Sequence, residues 1–432
     1  MTYLGLTAEQ LTAHVARVVP PQSGRQGAVS APGASSGDAS TTRTRFARAV
    51  LTSLAEPGDS DAGVLIAAIG PVEALRAIVE RRSAPDILAE VSEHDPAATE
   101  MLVGRLENAL ERWHPRASLT AAARSFESGA RVRAALVTPE DDLWPASLAD
   151  LGSGAPIALW VRGELGRLGE LRRSVALVGA RAATGYGEHV AMEVASGLAD
   201  RGLSTVSGGA YGIDGAVHRA SLASDATTVA FLAGGVDRLY PAGHTDLLQR
   251  VAERGLLIAE LPCGSSPTKW RFLMRNRLIA AASTATVVVE AGRRSGSLNT
   301  AGHAATIGRP LGAVPGPVTS PASAGCHRLI REYGAECVTN ADEIAELSGL
   351  WSPTEGSGAA HKESSGGGRS LAPEALRIID ALSARASRSV AELSVITGMS
   401  PRDVIATLGT LDVEGLARER AGRWLKAPPG TR

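Results

Sequence analysis

SVALVGARAATGYGEHVAMEVASGLADRGLSTVSGGAYGID, residues 174–214, decides the fold. An apolar run ends in glycine, an amphipathic stretch follows, and a second apolar run ends in another glycine-rich turn. Val190, Val194 and Leu198 repeat at helical spacing between the two runs. The pattern continues downstream with TTVAFLAG (227–234), LLIAE (256–260), TVVVEA (286–291) and PLGAVPG (310–316). Strands that are apolar throughout are buried on both faces, and strand–helix alternation makes a parallel α/β sheet. Ligands of such sheets sit outside the carboxyl ends of the strands.

Outward from this block the composition changes. Residues 352–370, SPTEGSGAAHKESSGGGRS, are rich in Gly and Ser and read as part of a 351–370 linker. Beyond it PEALRIIDALSAR, VAELSVIT and SPRDVIATLGTLDVEG read as three helices, and LARERAGRWLKA as a hairpin. Together, residues 371–432 predict a winged helix-turn-helix. Upstream, residues 43–142 carry helical periodicity, as in VEALRAIVERR, and predict a small helical domain. Residues 1–42, with a Ser/Gly/Ala/Pro-rich stretch over 21–42, read as a flexible N-terminal segment. The sheet domain is expected to span 143–350.

The 432 residues fit roughly two to four domains, enough to bury full cores without staples. A net charge of −1 excludes a globally basic nucleic-acid binder, so any such site is a local patch. Cys263, Cys326 and Cys337 form no CxxC pair, and an odd count fits a reducing, cytoplasmic setting. No apolar run reaches the ~18 residues of a membrane span, and no signal peptide is legible, so no membrane partner is expected. No metal-ligand set and no cofactor motif is evident.

Three segments carry chemistry. The turn Val178-Gly179-Ala180-Arg181-Ala182-Ala183-Thr184-Gly185 leads into a helix whose N-terminus could meet an anion, with Arg181 as a phosphate-matching fork. It has no GxGxxG, and a tight turn with a surface arginine is the alternative. The turn Ser207-Gly208-Gly209-Ala210 offers a backbone nest, followed by Asp214 and His218 one helical turn apart. A capping Asp beside a hydrogen-bonded His is the plainer reading of that pair. The third segment, Pro267 to Arg277, holds four cations (Lys269, Arg271, Arg275, Arg277) with Trp270 and Phe272. Cations track a backbone and rings stack on unpaired bases, so this segment points to single-stranded nucleic acid. The alternative is a basic helix start with both rings in the core.

Taken with Ala233-Gly234-Gly235-Val236-Asp237-Arg238-Leu239-Tyr240-Pro241, Glu290-Ala291 before Ser295-Gly296-Ser297, and Ala313-Val314-Pro315-Gly316, these segments resemble the DNA-processing DprA (Smf) family. The similarity is strong over about 143–340. It implies an extended Rossmann-like α/β domain that binds single-stranded DNA without turnover and dimerises. It also implies transfer of DNA to the RecA recombinase, on strands coated by single-strand-binding protein, during natural transformation. The DNA-contacting residues expected are Gly179, Arg181, Thr184, Ser207, Gly208, Gly209, Lys269, Phe272, Arg275, Asn276 and Arg277. The dimer contact is expected at His327, Leu329 and Ile330. Two departures stand out: Phe272-Leu273 replaces the usual Phe-Pro, and Ala180 replaces a common Ser or Thr.

Two other functions compete. A Rossmann-like nucleotide phosphoribohydrolase would use Glu290, but the following loop lacks a PGGxGT signature. A duplex-binding regulator would use the helix from Ser400 to Glu414, where one Arg faces Asp403, Asp412 and Glu414. Arg418, Arg420 and Arg423 on the hairpin keep a DNA role open there.

Overall fold

The structure is a computed structural model that describes residues 2–19, 36–350, 373–383, 386–413, 415–420 and 422–427. They divide into two compact units, Met1–Gly356 and Ser357–Arg432. The expected linker, 351–370, lies outside the described residues.

The first unit is built on β1 (Ala135–Val137), β2 (Leu159–Gly163), β3 (Ser174–Gly179), β4 (Ser204–Ser207), β5 (Thr228–Phe231), β6 (Leu256–Ala259), β7 (Ala285–Glu290), β8 (Leu311–Ala313) and β9 (Glu336–Cys337). They pair in the order β1-β2-β6-β5-β4-β3-β7-β8-β9. From β6 to β9 every pair is parallel, and β1 and β2 add an antiparallel margin. Strands β3 to β7 are buried along almost their whole length, as their apolar runs require. One face is covered by α8 (Gly185–Asp200), α9 (Ile213–Ala223) and α14 (Ala341–Leu347). The other carries α11 (Lys269–Ala282), α12 (Ser297–Thr306) and α13 (Ala324–Glu332). A tenth helix, α10 (Thr245–Arg254), packs on β2, β5 and β6.

The N-terminal helices are α1 (Ala8–Val15), α2 (Ser36–Leu54), α3 (Ser60–Val79), α4 (Ala84–His94), α5 (Pro96–Leu102), α6 (Leu106–Trp113) and α7 (Leu119–Arg131). They are not the separate domain expected over 43–142. Their core runs on into the sheet. The Phe46 and Phe126 rings stack at 5.8 Å, and Phe126 meets Trp160 of β2 at 6.0 Å. A Cβ on Gly129 would come within 2.8 Å of the Trp160 ring. Nor do residues 2–19 and 36–42 fit a flexible segment. Leu11, Val15 and Val18 are buried, Val18 O accepts the Leu136 N–H at 2.7 Å, and α2 begins at Ser36. The expectation failed because the helical repeat of α1 is only two turns long and sits beside a low-complexity run.

Helix α3 is long and apolar enough to cross a bilayer, although no such run was expected. It is broken at Gly70 (φ 77°) and Pro71. Leu65, Ala74, Leu75 and Ile78 are buried in the helical core. Burial in the fold accounts for its hydropathy.

An ion pair and a backbone hydrogen bond join the helical layer to α11 and the end of β6. Glu56, just past α2, accepts from Arg271 Nε and Nη2 at 3.0 and 2.9 Å. Arg277 donates to both oxygens of Glu260 at 2.6 and 2.5 Å, and the Gly58 N–H reaches the same carboxylate at 3.3 Å. Arg277 and Glu260 are both buried. Inside α9, His218 Nδ1 lies 2.7 Å from Thr228 Oγ1, and burial pulls its pKa from 6.5 to about 3.

The second unit holds α15 (Pro373–Ala381), α16 (Val390–Thr397), α17 (Pro401–Val413) and the hairpin β10 (Ala417–Arg420) with β11 (Arg423–Lys426). Ile378, Leu393, Val404, Leu408 and Leu411 form its core, and Gly398 turns left-handed (φ 70°) between α16 and α17.

Two outcomes follow from this packing. Glu260→Gln leaves the buried Arg277 guanidinium without a counter-charge, so it should cost about 3–5 kcal/mol of stability in denaturant unfolding. An unchanged unfolding midpoint would contradict the buried pair. His218 stays neutral when folded but charges when unfolded, so the unfolded chain binds more protons between pH 6.5 and about 3. Its contribution is present above pH 6.5 and is lost as pH falls through that window. His218→Gln should therefore show a shallower fall of melting temperature with acidification than the parent. Equal slopes would exclude a buried neutral imidazole.

Candidate nucleic-acid interface

The chain builds β3, β4, β5 and β6 outward on one side, then places β7 and β8 on the other side of β3. The loops after β3 and β7 therefore part, and a crevice opens at the carboxyl ends of these two strands. It is a cleft of about 480 Å³ lined by Val178–Ala182, Phe272, Leu273, Arg275 and Asn276, with Arg294–Ser297 and Thr300 opposite. A second cleft, about 440 Å³, shares Arg181, Phe272 and Leu273 and is completed by Tyr240, Pro267, Thr268 and Lys269.

Phe272 stands between the two. The Arg181 guanidinium carbon lies 4.9 Å from its ring centroid, that of Arg275 5.9 Å, and the Tyr240 ring 5.6 Å at a 53° tilt. Such cation–ring contacts are electrostatically favourable and fix where Arg181 points. Arg181 and Lys269 are exposed, and neither makes an ion pair among the described residues. They are open cations of the second cleft.

Helical periodicity divides the basic segment. Phe272, Arg275, Asn276 and Ile279 follow one face of α11 and line the first cleft. Arg271 falls on the flank beside Arg275 and Arg277 on the far side of the helix. The first is bound to Glu56 and the second to Glu260. Arg277 is therefore not available to DNA as expected, because its charge is neutralised inside the protein. Arg275 is buried and donates to Gly208 O at 2.7 Å and to Phe231 O, so it supports the cleft wall. Burial lowers its pKa to about 10, which leaves it charged at neutral pH. Asn276 accepts from Arg275 Nε at 3.2 Å and donates to Asn299 Oδ1 at 3.1 Å. Trp270 is not in the core as the alternative reading had it; it is 58 % exposed at the start of α11.

Both turns expected to receive phosphate already hold an internal carboxylate. In the first, Glu290 accepts the Thr184 N–H at 2.8 Å and the Thr184 hydroxyl at 2.6 Å. Thr184 thus caps α8 and binds Glu290, while Gly179 packs on Ile213. In the second, Asp214 accepts the N–H groups of Gly208 (3.1 Å) and Ala210 (3.3 Å). Burial pushes the Asp214 carboxyl up, against the opposing pull of Arg275 and the two N–H donors. Ser207 is buried and donates to Leu177 O, and Gly209 (φ 68°) packs under Leu248. So Ser207, Gly208 and Gly209 shape the wall rather than present a nest. Gly208 is required there, since a Cβ would lie 2.4 Å from the Arg275 guanidinium. Gly212 combines φ 73° with a Cβ position 2.2 Å from Ala180 O. Asp214 and His218 do not pair, since the histidine turns to Thr228.

The sequence reading left out Arg294 and Tyr240. Arg293-Arg294-Ser295-Gly296-Ser297 follows a strand that ends at the cleft, a signal of the same kind as Arg181. Tyr240 was legible only as part of a longer motif. At the far end of the sheet, the expected contact residues differ in kind. Leu329 is buried with Cys326, so it closes the core. Ile330 is half-buried against the same cluster, and His327 Nε2 lies 2.9 Å from Gly316 O. Because α13 is amphipathic, Leu329 faces inward with Cys326, three residues before it.

Residues 135–349 match the family described as DNA recombination-mediator protein A. A DNA-processing protein DprA from Mycobacterium tuberculosis is 44% identical over 393 residues, covering 88% of this chain and 94% of the relative. The DprA of Bacillus subtilis is 33% identical over 241 residues, covering 56% of this chain and 78% of its own. The X-ray structure of DprA from Streptococcus pneumoniae superposes with a TM-score of 0.54 at 28% identity, over 70% of this chain and 97% of that one. With nearly the whole of one relative matched at that identity, the chain belongs to the DprA (Smf) family of DNA-processing recombination mediators.

Proposed function

We propose that the chain binds single-stranded DNA across the two clefts beside Phe272. The observation that carries this reading is the convergence on one cleft of Arg181, from the turn after β3, and Lys269, from the start of α11, both exposed and both without a carboxylate partner among the described residues. Two free cations beside aromatic rings suit a flexible backbone with splayed bases better than a stiff duplex. The exposed arginines Arg293 and Arg294 extend the basic rim across the first cleft.

The binding role is favoured over an enzymatic one. Glu290, the acid that a nucleotide-cleaving reading needs, is buried and held by Thr184. Asp214, the other nearby acid, is buried against two backbone N–H groups. A base-release assay on nucleoside monophosphates should therefore show no turnover.

The finer role rests on the family. The chain acts as a cytoplasmic homodimer that protects incoming strands and loads RecA onto them, past single-strand-binding protein, during natural transformation. The three helices and the hairpin of the second unit support a winged-helix reading. Its α17 carries one arginine, Arg402, against two acids, Asp403 and Asp412, and exposes Ile405, a face poorly suited to duplex phosphates. The dimer contact shifts from Leu329 to the exposed margin at β9.

Charge reversal tests the site. Arg181→Glu and Lys269→Glu should each weaken binding of single-stranded DNA by roughly tenfold or more. Each should also flatten the salt dependence, by a log–log slope of about 0.7 per lost phosphate contact. Because both side chains are exposed, melting temperatures should stay at the parent value. Full affinity in both variants would remove the cleft from DNA binding.

A further inference from the structure

Helix α17 turns to solvent a face that the second unit leaves uncovered. Val404, Leu408 and Leu411 point into the core, while Arg402, Ile405, Gly409 and Asp412 are exposed. At 3.6 residues per turn these four fall within about 80° of one another, so they share one face. Ile405 is 57 % exposed, and α16 of the same unit exposes Val395 and Ile396. Exposed apolar surface of this kind marks a contact with another macromolecule. Gly409 points the same way. Its backbone lies outside the left-handed region, and a Cβ there would meet open space, so nothing inside the unit requires glycine. Glycine within a helix costs roughly 0.5–1 kcal/mol relative to alanine. Its use here leaves a notch in the outer face of α17, where a second helix can come close.

We propose that this face of α17 docks antiparallel against the same face of a second copy of the chain, across a two-fold axis. Arg402 lies three residues before Ile405, and Asp412 three residues after Gly409. A register that seats Ile405 in the notch at the partner's Gly409 therefore also sets Arg402 against the partner's Asp412. The two-fold axis repeats both contacts, so the face is complementary to itself in shape and in charge. Neither Arg402 nor Asp412 has an ion-pair partner among the described residues, so both charges are free to pair across the axis. A single arginine beside Asp403 and Asp412 disfavours nucleic-acid phosphate as the occupant. Contact between two single helices buries less than the roughly 1,200 Å² of a standard interface, so it is weak and grows with local concentration. It uses no residue of the clefts or of the β9 margin, and it does not rest on DNA binding.

The test is sedimentation equilibrium of the full chain, without DNA, over roughly a hundredfold range of concentration. The parent should show a concentration-dependent doubling of mass, starting from whatever size the β9 margin sets. Arg402→Asp and Asp412→Arg each bring like charges together twice. Each should move the doubling to at least about tenfold higher concentration. The double swap, Arg402→Asp with Asp412→Arg, restores both pairs at the parent's net charge and should return the doubling to within about threefold of the parent. These changes place acid at the start of α17 or base at its end, which suits the helix dipole, so the unit keeps its fold. Gly409→Leu keeps a good helix former but fills the notch, and it should lose the doubling as well. A parent whose mass does not double overturns the proposal. So do single reversals or a Gly409→Leu variant that associate like the parent, and a double swap that stays as weak as the singles.

Discussion

The rotation of α11 about its own axis is fixed by the buried contact between Arg277 and Glu260. Neither charge can leave the other without standing alone in a poorly solvated interior, which costs several kcal/mol. With Arg277 held on the far side and Arg271 held by Glu56 on the flank beside Arg275, the cleft face has one orientation. Phe272, Arg275 and Asn276 must then point into the crevice between β3 and β7. The helical layer supplies Glu56 and Gly58 to this lock, so residues far upstream in sequence help to aim the groove. The two layers share hydrophobic packing as well, through Phe46, Phe126 and Trp160.

A second constraint is electrostatic. Rossmann-like sheets commonly offer helix N-termini to the phosphates of a bound nucleotide. Here Glu290 occupies the turn before α8 and Asp214 the turn before α9. These internal carboxyl groups satisfy the donors that a dinucleotide would need. What remains open is the rim, where Arg181, Lys269 and Arg294 are exposed. The fold thus keeps the crevice, and the proposed anion recognition falls to flexible side chains on its rim. That arrangement fits a polymer lying across the mouth better than a cofactor lodged inside it.

The alternation of strands and helices was legible from residue 174 onward because fully buried strands leave unbroken apolar runs such as TVVVEA. The position of the candidate clefts was legible too, since their loops follow strand ends. What could not be read was the division of labour within Lys269–Arg277. One-dimensional clustering shows four cations, but only the partners Glu56 and Glu260, distant in sequence, reveal that two of them face inward. The same limit applies to Ser207–Gly209, where glycines that looked like a phosphate nest make room for Arg275 instead. Leu329 and Ile330 read alike in sequence, and only the packing of α13 separates a core residue from a half-exposed one. The helical layer was misjudged as separate because nothing in a single chain marks where one hydrophobic core stops.

The two margins of the sheet are unlike. At β1, the backbone of Val18 takes the outward Leu136 N–H, and the helical layer lies over that end. At β9, Glu336 and Cys337 are exposed, and no further strand pairs beyond them among the described residues. A ribbon that is stoppered at one end and open at the other cannot lengthen head to tail, because the second copy brings its own stopper. Such a sheet can be joined once, edge to edge across a two-fold axis, and then has no free end left. The short bond between Val18 and Leu136 therefore acts as a terminator, setting an upper limit on how far this fold can associate through its strands.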